Sequence, residues 1–369
     1  MPAVKVLSGS LRILLVVVVA AILLTGRASA QVTPAAGYTA PDDTPTVKVG
    51  GTLFMDYTYT DEPTVLDVDG NVTHPSAFDV KRAYINVTGS INHLVGFRLT
   101  PDIVRETASG GNIDGSLTFR LKYAYGQFNL DDQWSKGSWV RLGLQQTPYV
   151  DYAEGIYRYR FQGPIFEDTE KFITSSDFAL STHYNFAGNF GDVHAGYYNG
   201  DGYAKGDAND QKALQVRATL RPAPNAGVLK GLRLTVFYDA DNYAQGDAKT
   251  RLIENVTFEH KYLNAGVDHL DAKDQTSAAV PEVKADGWSV WATPKSTKGW
   301  EGLLRYDSLK PDKTVNAKKN RKIAGVAYWF TTQKPATAAL LLDYEDVKYD
   351  TLLAKPDEKR YALHALFAF

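Results

Sequence analysis

The sequence contains no cysteine and only two methionines, and after residue 24 it has no long hydrophobic run. The absence of cysteine excludes a disulfide framework. Because no later segment approaches roughly 18 consecutive apolar residues, a membrane-spanning helix is excluded from the rest of the chain. The net charge of −2 is a mild acidity that indicates no nucleic-acid partner. We find no metal-ligand spacing and no glycine-rich phosphate loop, so we expect no metal and no other cofactor.

The N-terminus has the pattern of a secretory signal. Lys5 and Arg12 form a short basic region, residues 13–24 are uniformly apolar, and a cleavage motif of small residues follows. Its −3 and −1 positions are Ala28 and Ala30. We therefore predict that residues 1–30 are a signal peptide and that residues 31–45, which contain three prolines, form a periplasmic N-terminal segment. The alternative is an uncleaved anchor, which the short apolar run disfavours.

The remaining chain alternates apolar and polar residues along most of its length. Segments 46–60, 116–127 and 338–346 are clear examples, and this period of two predicts strands with one apolar and one polar face. We count about sixteen such segments within 46–369, joined by connections that are alternately long and short. The fold class predicted is all-β, a transmembrane antiparallel barrel with long extracellular loops. Because lipid offers no hydrogen bonds, a spanning sheet has to close on itself.

Aromatic residues lie near the ends of several predicted strands. On the alternation above they belong to the apolar outer face, where they would form the aromatic girdles of a membrane barrel. A barrel of about sixteen strands is too wide for side chains alone to fill, so its lumen should hold water. The aromatic residues assigned to the girdles are Tyr57, Tyr59, Tyr123, Tyr125, Tyr197, Tyr198, Tyr361 and Phe369.

The chain ends in a strand whose alternate residues are apolar, counted back from a terminal aromatic residue. Phe369, Phe367, Leu363 and Tyr361 carry this pattern. It resembles the C-terminal signal that outer-membrane barrels present to their insertion machinery, so we expect that machinery to be a partner. The alternative is an amphipathic end strand that arose by chance.

The polar faces of the second to fifth predicted strands carry basic residues, and the longest loop, 147–172, carries both acids and arginines. A basic wall opposite an acid-containing loop would create a transverse field that screens solutes by charge. The alternative is that each arginine is an ordinary lumen residue, solvated or paired with a nearby acid. The basic residues are Arg82, Arg98, Arg120, Lys122 and Arg141, and the loop residues are Asp151, Glu154, Arg158, Arg160, Glu167 and Asp168.

Three motifs resemble segments of the phosphate-selective porin O and P family. Residues 143–149 (GLQQTPY) resemble the segment that opens the family's third loop, residues 78–89 its second strand, and residues 302–307 a later Arg-Tyr-Asp strand. The resemblance implies a sixteen-stranded barrel, usually trimeric. In many porins a long loop after the fifth strand folds into the barrel and forms a constriction, and we expect the same of loop 147–172. Anion-favouring members use a row of lumen arginines, a part that Arg82, Arg98, Arg120 and Arg141 would play. The acid-rich third loop departs from the family pattern, so phosphate specificity does not carry over.

The sequence therefore predicts a porin of the bacterial outer membrane, a water-filled channel for the passive diffusion of small hydrophilic solutes. A narrower prediction is that the channel favours anions such as phosphate. The expected partners are outer-membrane lipid, the solutes and two further copies in a homotrimer. We identify no catalytic residues, because no histidine has a recognisable serine motif such as Gly-x-Ser-x-Gly, and we expect no enzyme. The alternatives are a barrel with an enzymatic or adhesive role and a soluble, secreted β-sandwich.

Overall fold

The computed structural model describes residues 42–106, 110, 112–207 and 209–369. Within these residues, sixteen strands form one closed antiparallel barrel, in which each strand pairs with its neighbours in sequence and the last pairs with the first. The strands are β1 (Thr46–Glu62), β2 (Ser76–Ser90), β3 (Val95–Arg105), β4 (Leu117–Asn129), β5 (Trp139–Gln146), β6 (Ser176–Asn185), β7 (Gly191–Tyr198), β8 (Ala213–Leu220), β9 (Leu232–Ala244), β10 (Asp247–His260), β11 (Leu263–Asp274), β12 (Val283–Pro294), β13 (Trp300–Lys310), β14 (Lys319–Trp329), β15 (Thr337–Tyr349) and β16 (Glu358–Ala368).

The predicted fold class and strand number are confirmed. The signal peptide, with its cleavage residues Ala28 and Ala30, lies outside the described residues, as does most of segment 31–45. Smaller elements occur in the connections, and none of the helices among the described residues has the length and apolar character needed to cross a membrane. These elements are helix α1 (Val150–Tyr157), helix α2 (Phe166–Thr169), 3₁₀ turns at Ala187–Asn189, Gly227–Gly231 and Thr351–Leu353, and a ribbon of Val65–Leu66 with Val72–Thr73.

The two faces of the barrel wall follow the period of two in the sequence. On β16, Tyr361, Leu363 and Phe367 are 48%, 47% and 43% exposed, whereas Ala362 and His364 between them are buried. Successive side chains of a strand point to opposite faces, so the exposed apolar set is the outer surface. Such an outer surface suits lipid, and the closed sheet leaves no unpaired strand edge.

The barrel closes at the seam between β1 and β16. The Gly51 amide donates to the Phe369 carbonyl (3.1 Å), and the Phe369 amide donates back to the Gly51 carbonyl (3.0 Å). A Cβ atom at Gly51 would lie 2.7 Å from the Phe369 ring, so a larger residue here would move the terminal ring from this position. The predicted C-terminal residues Tyr361, Leu363, Phe367 and Phe369 all lie on the exposed outer face.

A β-bulge overturns the outward assignment of Tyr123. Thr100 pairs with Tyr123 and Pro101 with Leu121, which leaves Lys122 as an extra residue in β4. Both Lys122 and Tyr123 are consequently buried inside the barrel. Proline has no N–H for the ladder, so a strand that contains Pro101 tolerates it best at a bulge.

The assignments of Tyr125 and Tyr198 to the girdles are also wrong. The bulge shifts the alternation of β4, and the Tyr125 ring centroid lies 4.7 Å from the guanidinium carbon of Arg141 in the lumen. Tyr198 is buried and donates a hydrogen bond to the Gln146 carbonyl (3.1 Å). Because neighbours in a strand face opposite sides, only Tyr197 of that pair is exposed on the outer surface.

Candidate functional site

Loop L3 (residues 147–175), which joins β5 to β6, packs against the inner wall of the barrel. Val150, Ala153, Ile156 and Tyr157 lie on one side of α1, because residues three and four apart share a helix face. All four are buried, and they belong to an apolar cluster with inward-facing residues of the wall. The wall residues of this cluster include Phe237, Ile253, Leu270, Trp291, Leu303 and Leu341.

Wall side chains also hold the backbone of L3. Four of them donate to loop carbonyl groups that lie outside regular structure or in the last turn of α1 and that need a partner. In the opposite direction, the hydroxyl group of Tyr149 in L3 donates a hydrogen bond to Asp268 of the wall (2.7 Å), and both side chains are buried. The four donors to carbonyl groups are Arg217 to Pro148 (2.8 Å), Asn264 to Ile156 (2.9 Å), Arg305 to Pro164 (2.7 Å) and Arg251 to Phe172 (2.8 Å).

Two of the loop residues predicted at a constriction face the wall instead. Arg158 donates to Glu301 (3.1 Å), and its guanidinium carbon lies 4.2 Å from the Trp329 ring centroid. Glu167 is buried between the loop and the wall, and this burial raises the pKa of its carboxyl group well above the usual range. We expected both residues to line the constriction. They contact the wall instead, because the amphipathic loop turns these positions towards the barrel.

The opposite side of L3 faces the basic wall across a cavity of about 200 Å³. We call this cavity the eyelet. Its wall side is lined by Tyr84, Arg98, Lys122 and Tyr123, and its loop side by Asp151, Glu154 and Arg160.

The loop charges at the eyelet are partly compensated. Arg160 forms an ion pair with Glu154 (2.8 Å), and the hydroxyl group of Tyr123 donates to Asp151 (2.9 Å). Burial raises the pKa of Glu154 to about 7, and the neighbouring Arg160 opposes this shift. Burial also raises the pKa of Asp168, against the opposing charges of Arg160, Lys122 and Arg82. The acids of the loop therefore carry less negative charge than their number indicates.

The predicted basic residues divide into two groups. Arg82 and Arg120 both donate to the same oxygen of Asp102, at 3.2 Å and 3.0 Å. Asp102 is fully buried and belongs to the adjacent strand β3. This pair of arginines thus shares one neutralising carboxylate.

Arg98, Lys122 and Arg141 form the second group, the cationic trio. Arg98 donates to Thr100 (3.0 Å) and Asn86 (2.9 Å), whose side chains are neutral. Similarly, Arg141 donates to neutral Gln127 (2.8 Å) and Gln146 (3.2 Å). In the part of the chain that the structure describes, no carboxylate oxygen lies within 4.0 Å of the cationic groups of the trio.

The acids near the chain end are inward-facing and paired. The Asp343 carboxylate lies 3.2 Å from the His364 ring, and Glu345 accepts hydrogen bonds from Arg321 and Arg360. Gln162 of L3 also donates to Glu345 (3.3 Å). The described residues include no group of three or more histidine, aspartate or glutamate side chains that would hold a metal ion.

The model of the phosphate-selective porin O and P family matches residues 47–257. This chain belongs to that family. No curated protein sequence matches it. Its fold is similar to solved bacterial porins, and family and fold together identify an outer-membrane channel. The similar structures include the anion-selective porin from Comamonas acidovorans (12% identity, 88% of this chain and 100% of that chain, TM-score 0.60), OmpF of Salmonella typhi (12%, 88% and 97%, 0.59) and the trimer form of OmpT of Vibrio cholerae (12%, 89% and 100%, 0.55).

Several residues that shape the porin's eyelet or set the charge of the wall beside it were not predicted from the sequence. Asp102 lies four residues after Arg98 in β3, and the period of two would have placed both on the inner face. Pro101 inside a predicted strand was a signal for the bulge that turns Tyr123 inwards. The period of two also places Tyr84, two residues after Arg82, on the inner face, but its position at the eyelet depends on how L3 packs.

Proposed function

We propose that this porin is a passive, non-enzymatic channel that favours anions. The observation that carries the proposal is the cationic trio, in which Arg98 and Arg141 have neutral hydrogen-bond partners and Lys122 lies against the Tyr84 ring. A charge that lacks an opposite charge nearby keeps its field, and field lines concentrate in a narrow channel with low-dielectric walls. The trio would therefore raise the local concentration of anions at the eyelet.

The charges on the loop side support the same direction. Glu154 lies beside Arg160, and Glu170 lies 2.8 Å from the amino group of Lys319. Arg158, in turn, forms an ion pair with Glu301 on the wall. Because L3 and the wall beneath it largely neutralise each other, the opposite wall, with the cationic trio, would set the sign of the field.

The reversal potential of the purified, refolded porin in a planar bilayer tests this proposal. Under a KCl gradient we expect an anion-favouring potential and a current that varies smoothly with voltage, as passive diffusion requires. Before the measurement, heat-modifiable mobility on a gel should show that the barrel is folded. A cation-favouring potential would contradict the proposal, and so would the absence of conductance from folded protein.

We also propose a homotrimer in the outer membrane. The support is the similarity of the fold to a porin described in a trimer form. Exposed apolar side chains cover the outer wall, so a part of that wall is available to other copies as well as to lipid. The mass of the detergent-solubilised protein, measured by sedimentation equilibrium, should be three times that of the mature chain, and a monomeric mass would contradict the proposal.

For export and assembly, we propose that residues 1–30 are removed and that the exposed row of Tyr361, Leu363, Phe367 and Phe369 is read by the barrel-insertion machinery. Substituting Phe369→Ser should reduce the amount of folded barrel in the outer membrane. His364→Gln, which changes an inward-facing residue of the same strand, is the matched control. N-terminal sequencing of the membrane protein should begin at Gln31, and equal assembly of both variants would contradict the role of Phe369.

A further inference from the structure

The cations at the eyelet lie against aromatic rings. The guanidinium carbon of Arg98 is 4.4 Å from the Tyr123 ring centroid, and the Lys122 amino nitrogen is 4.9 Å from that of Tyr84. The guanidinium carbon of Arg141, the third member of the trio, lies 3.7 Å from the Trp139 ring centroid. The two guanidinium groups held in this way are flat and weakly hydrated, and they lie next to aromatic surface.

Each arginine of the trio also keeps part of its donor edge free. Arg98 uses Nε and Nη2 for Thr100 and Asn86, and Arg141 uses Nε and Nη1 for Gln127 and Gln146. Among the described residues, the remaining terminal nitrogen of each has no hydrogen-bond partner. A guanidinium with a free terminal nitrogen can donate to a carboxylate oxygen while its face stays stacked on a ring.

The net charge of the side chains that line the eyelet suits an anion with a single negative charge. Its lining contains three cations, Arg98, Lys122 and Arg160, and two carboxylates, Asp151 and Glu154. With both acids ionised, the balance is one positive charge. A singly charged anion would neutralise this balance, whereas a multiply charged anion would leave an uncompensated negative charge in a partly enclosed site.

The ring of Tyr84 is the aromatic surface available to a solute. It is half-buried and lines the eyelet, while the Tyr123 ring is buried. We propose that the eyelet prefers flat organic monocarboxylates that carry an aromatic ring over inorganic phosphate. The carboxylate would bind Arg98 and Lys122, the two cations of the trio that line the eyelet, and the ring would pack against Tyr84. This inference rests on the proposed anion preference and narrows it to one class of solute.

Block of the chloride current by three probes tests the inference. The probes are benzoate, cyclohexanecarboxylate, which has the same charge without an aromatic ring, and inorganic phosphate. Since an aromatic contact adds modestly to affinity, benzoate should reach half-block at a concentration about threefold below that of cyclohexanecarboxylate. It should also act below the concentration of phosphate. Equal half-block by the two carboxylates, or stronger block by phosphate, would overturn the inference.

Two variants of one residue locate the effect. Tyr84→Leu should abolish the difference between the two carboxylates, while Tyr84→Phe, which keeps the ring, should retain it. Comparing the two probes within each variant cancels any change in total conductance, and gel mobility shows that each barrel is folded. If Tyr84→Leu kept the difference, the assignment of Tyr84 would be wrong. A cation-favouring reversal potential in KCl would instead overturn the proposed function, and this inference with it.

Discussion

Arginine side chains have opposite environments in two regions of the barrel wall. On the wall formed by β2–β5, Arg141 faces the lumen and bonds only to neutral glutamines. On the wall beneath L3, Arg305 is buried, bonds to Asp307 (2.8 Å) and donates to a loop carbonyl. The comparison teaches that arginine content alone does not set selectivity. What matters is whether a carboxylate or a loop covers each guanidinium.

The physical reason lies in the cost of burying charge. A covered cation needs a partner, because an isolated charge is very unfavourable away from water. A cation that still touches water needs none, and its field then reaches the solute. L3 divides the lumen into these two environments, since its apolar face determines which wall is covered.

The largest effect on the channel should come from a substitution that detaches L3 from the wall and so removes the division of the lumen into two environments. Ile156→Asp places a charge in the apolar cluster between α1 and the wall, at a cost of several kcal/mol, on the order of that for other unpaired buried charges. We expect L3 to leave the wall and the single-channel conductance to rise severalfold. Gly155→Asp is the control, since it adds the same charge to the exposed side of α1, where a Cβ atom meets open space. Unchanged conductance in folded Ile156→Asp protein would show that this packing does not hold the loop.

A second experiment separates the two groups of basic residues. The triple variant Arg98→Gln, Lys122→Gln, Arg141→Gln removes the cationic trio, and the reversal potential should shift strongly towards cations. The matched triple variant Arg82→Gln, Asp102→Asn, Arg120→Gln removes two cations together with the acid that they share. Its net loss of charge is one unit instead of three, so we expect about a third of the shift. Equal shifts would contradict the distinction between the groups.

The pH dependence of selectivity sharpens the comparison further. Glu154 has a pKa of about 7, because burial outweighs the attraction of Arg160. Below that pKa the carboxyl group is protonated and neutral, so the eyelet gains positive charge as the pH falls. Between about pH 8 and about pH 6 the reversal potential should therefore become more anion-favouring. In Glu154→Gln the change over this range should be lost, and a persistent pH dependence would assign it to another group.

The smallest effect is expected for the contact between wall and loop at the bulge. Tyr123→Phe removes the hydrogen bond to Asp151 and should lower the free energy of unfolding by about 1.5–3 kcal/mol, a usual value for a bond to a charged group. Urea unfolding followed by gel mobility measures this change. Tyr125→Phe is the control, since no hydrogen bond of the Tyr125 hydroxyl group occurs within the described residues. A larger loss in the control would contradict the assignment.

The sequence alone was sufficient for the sixteen-stranded barrel and for most of its inner and outer faces. Both depend on a period of two along the chain, which each strand displays locally, and on the need of a membrane sheet to close. The inner-facing positions of Arg82, Arg98 and Arg120 follow from that pattern. So does the exposed row that ends at Phe369.

Only the tertiary structure decided which of those charges are free. Asp102 neutralises Arg82 and Arg120 through side-chain contacts across three strands, and the bulge at Lys122 reverses the facing of Tyr123. The side of L3 that faces the wall depends on contacts with strands more than a hundred residues away, such as that of Tyr149 with Asp268. Strand facing is a local property of the chain, whereas register, bulges and loop packing arise from contacts between distant segments, which no local pattern encodes.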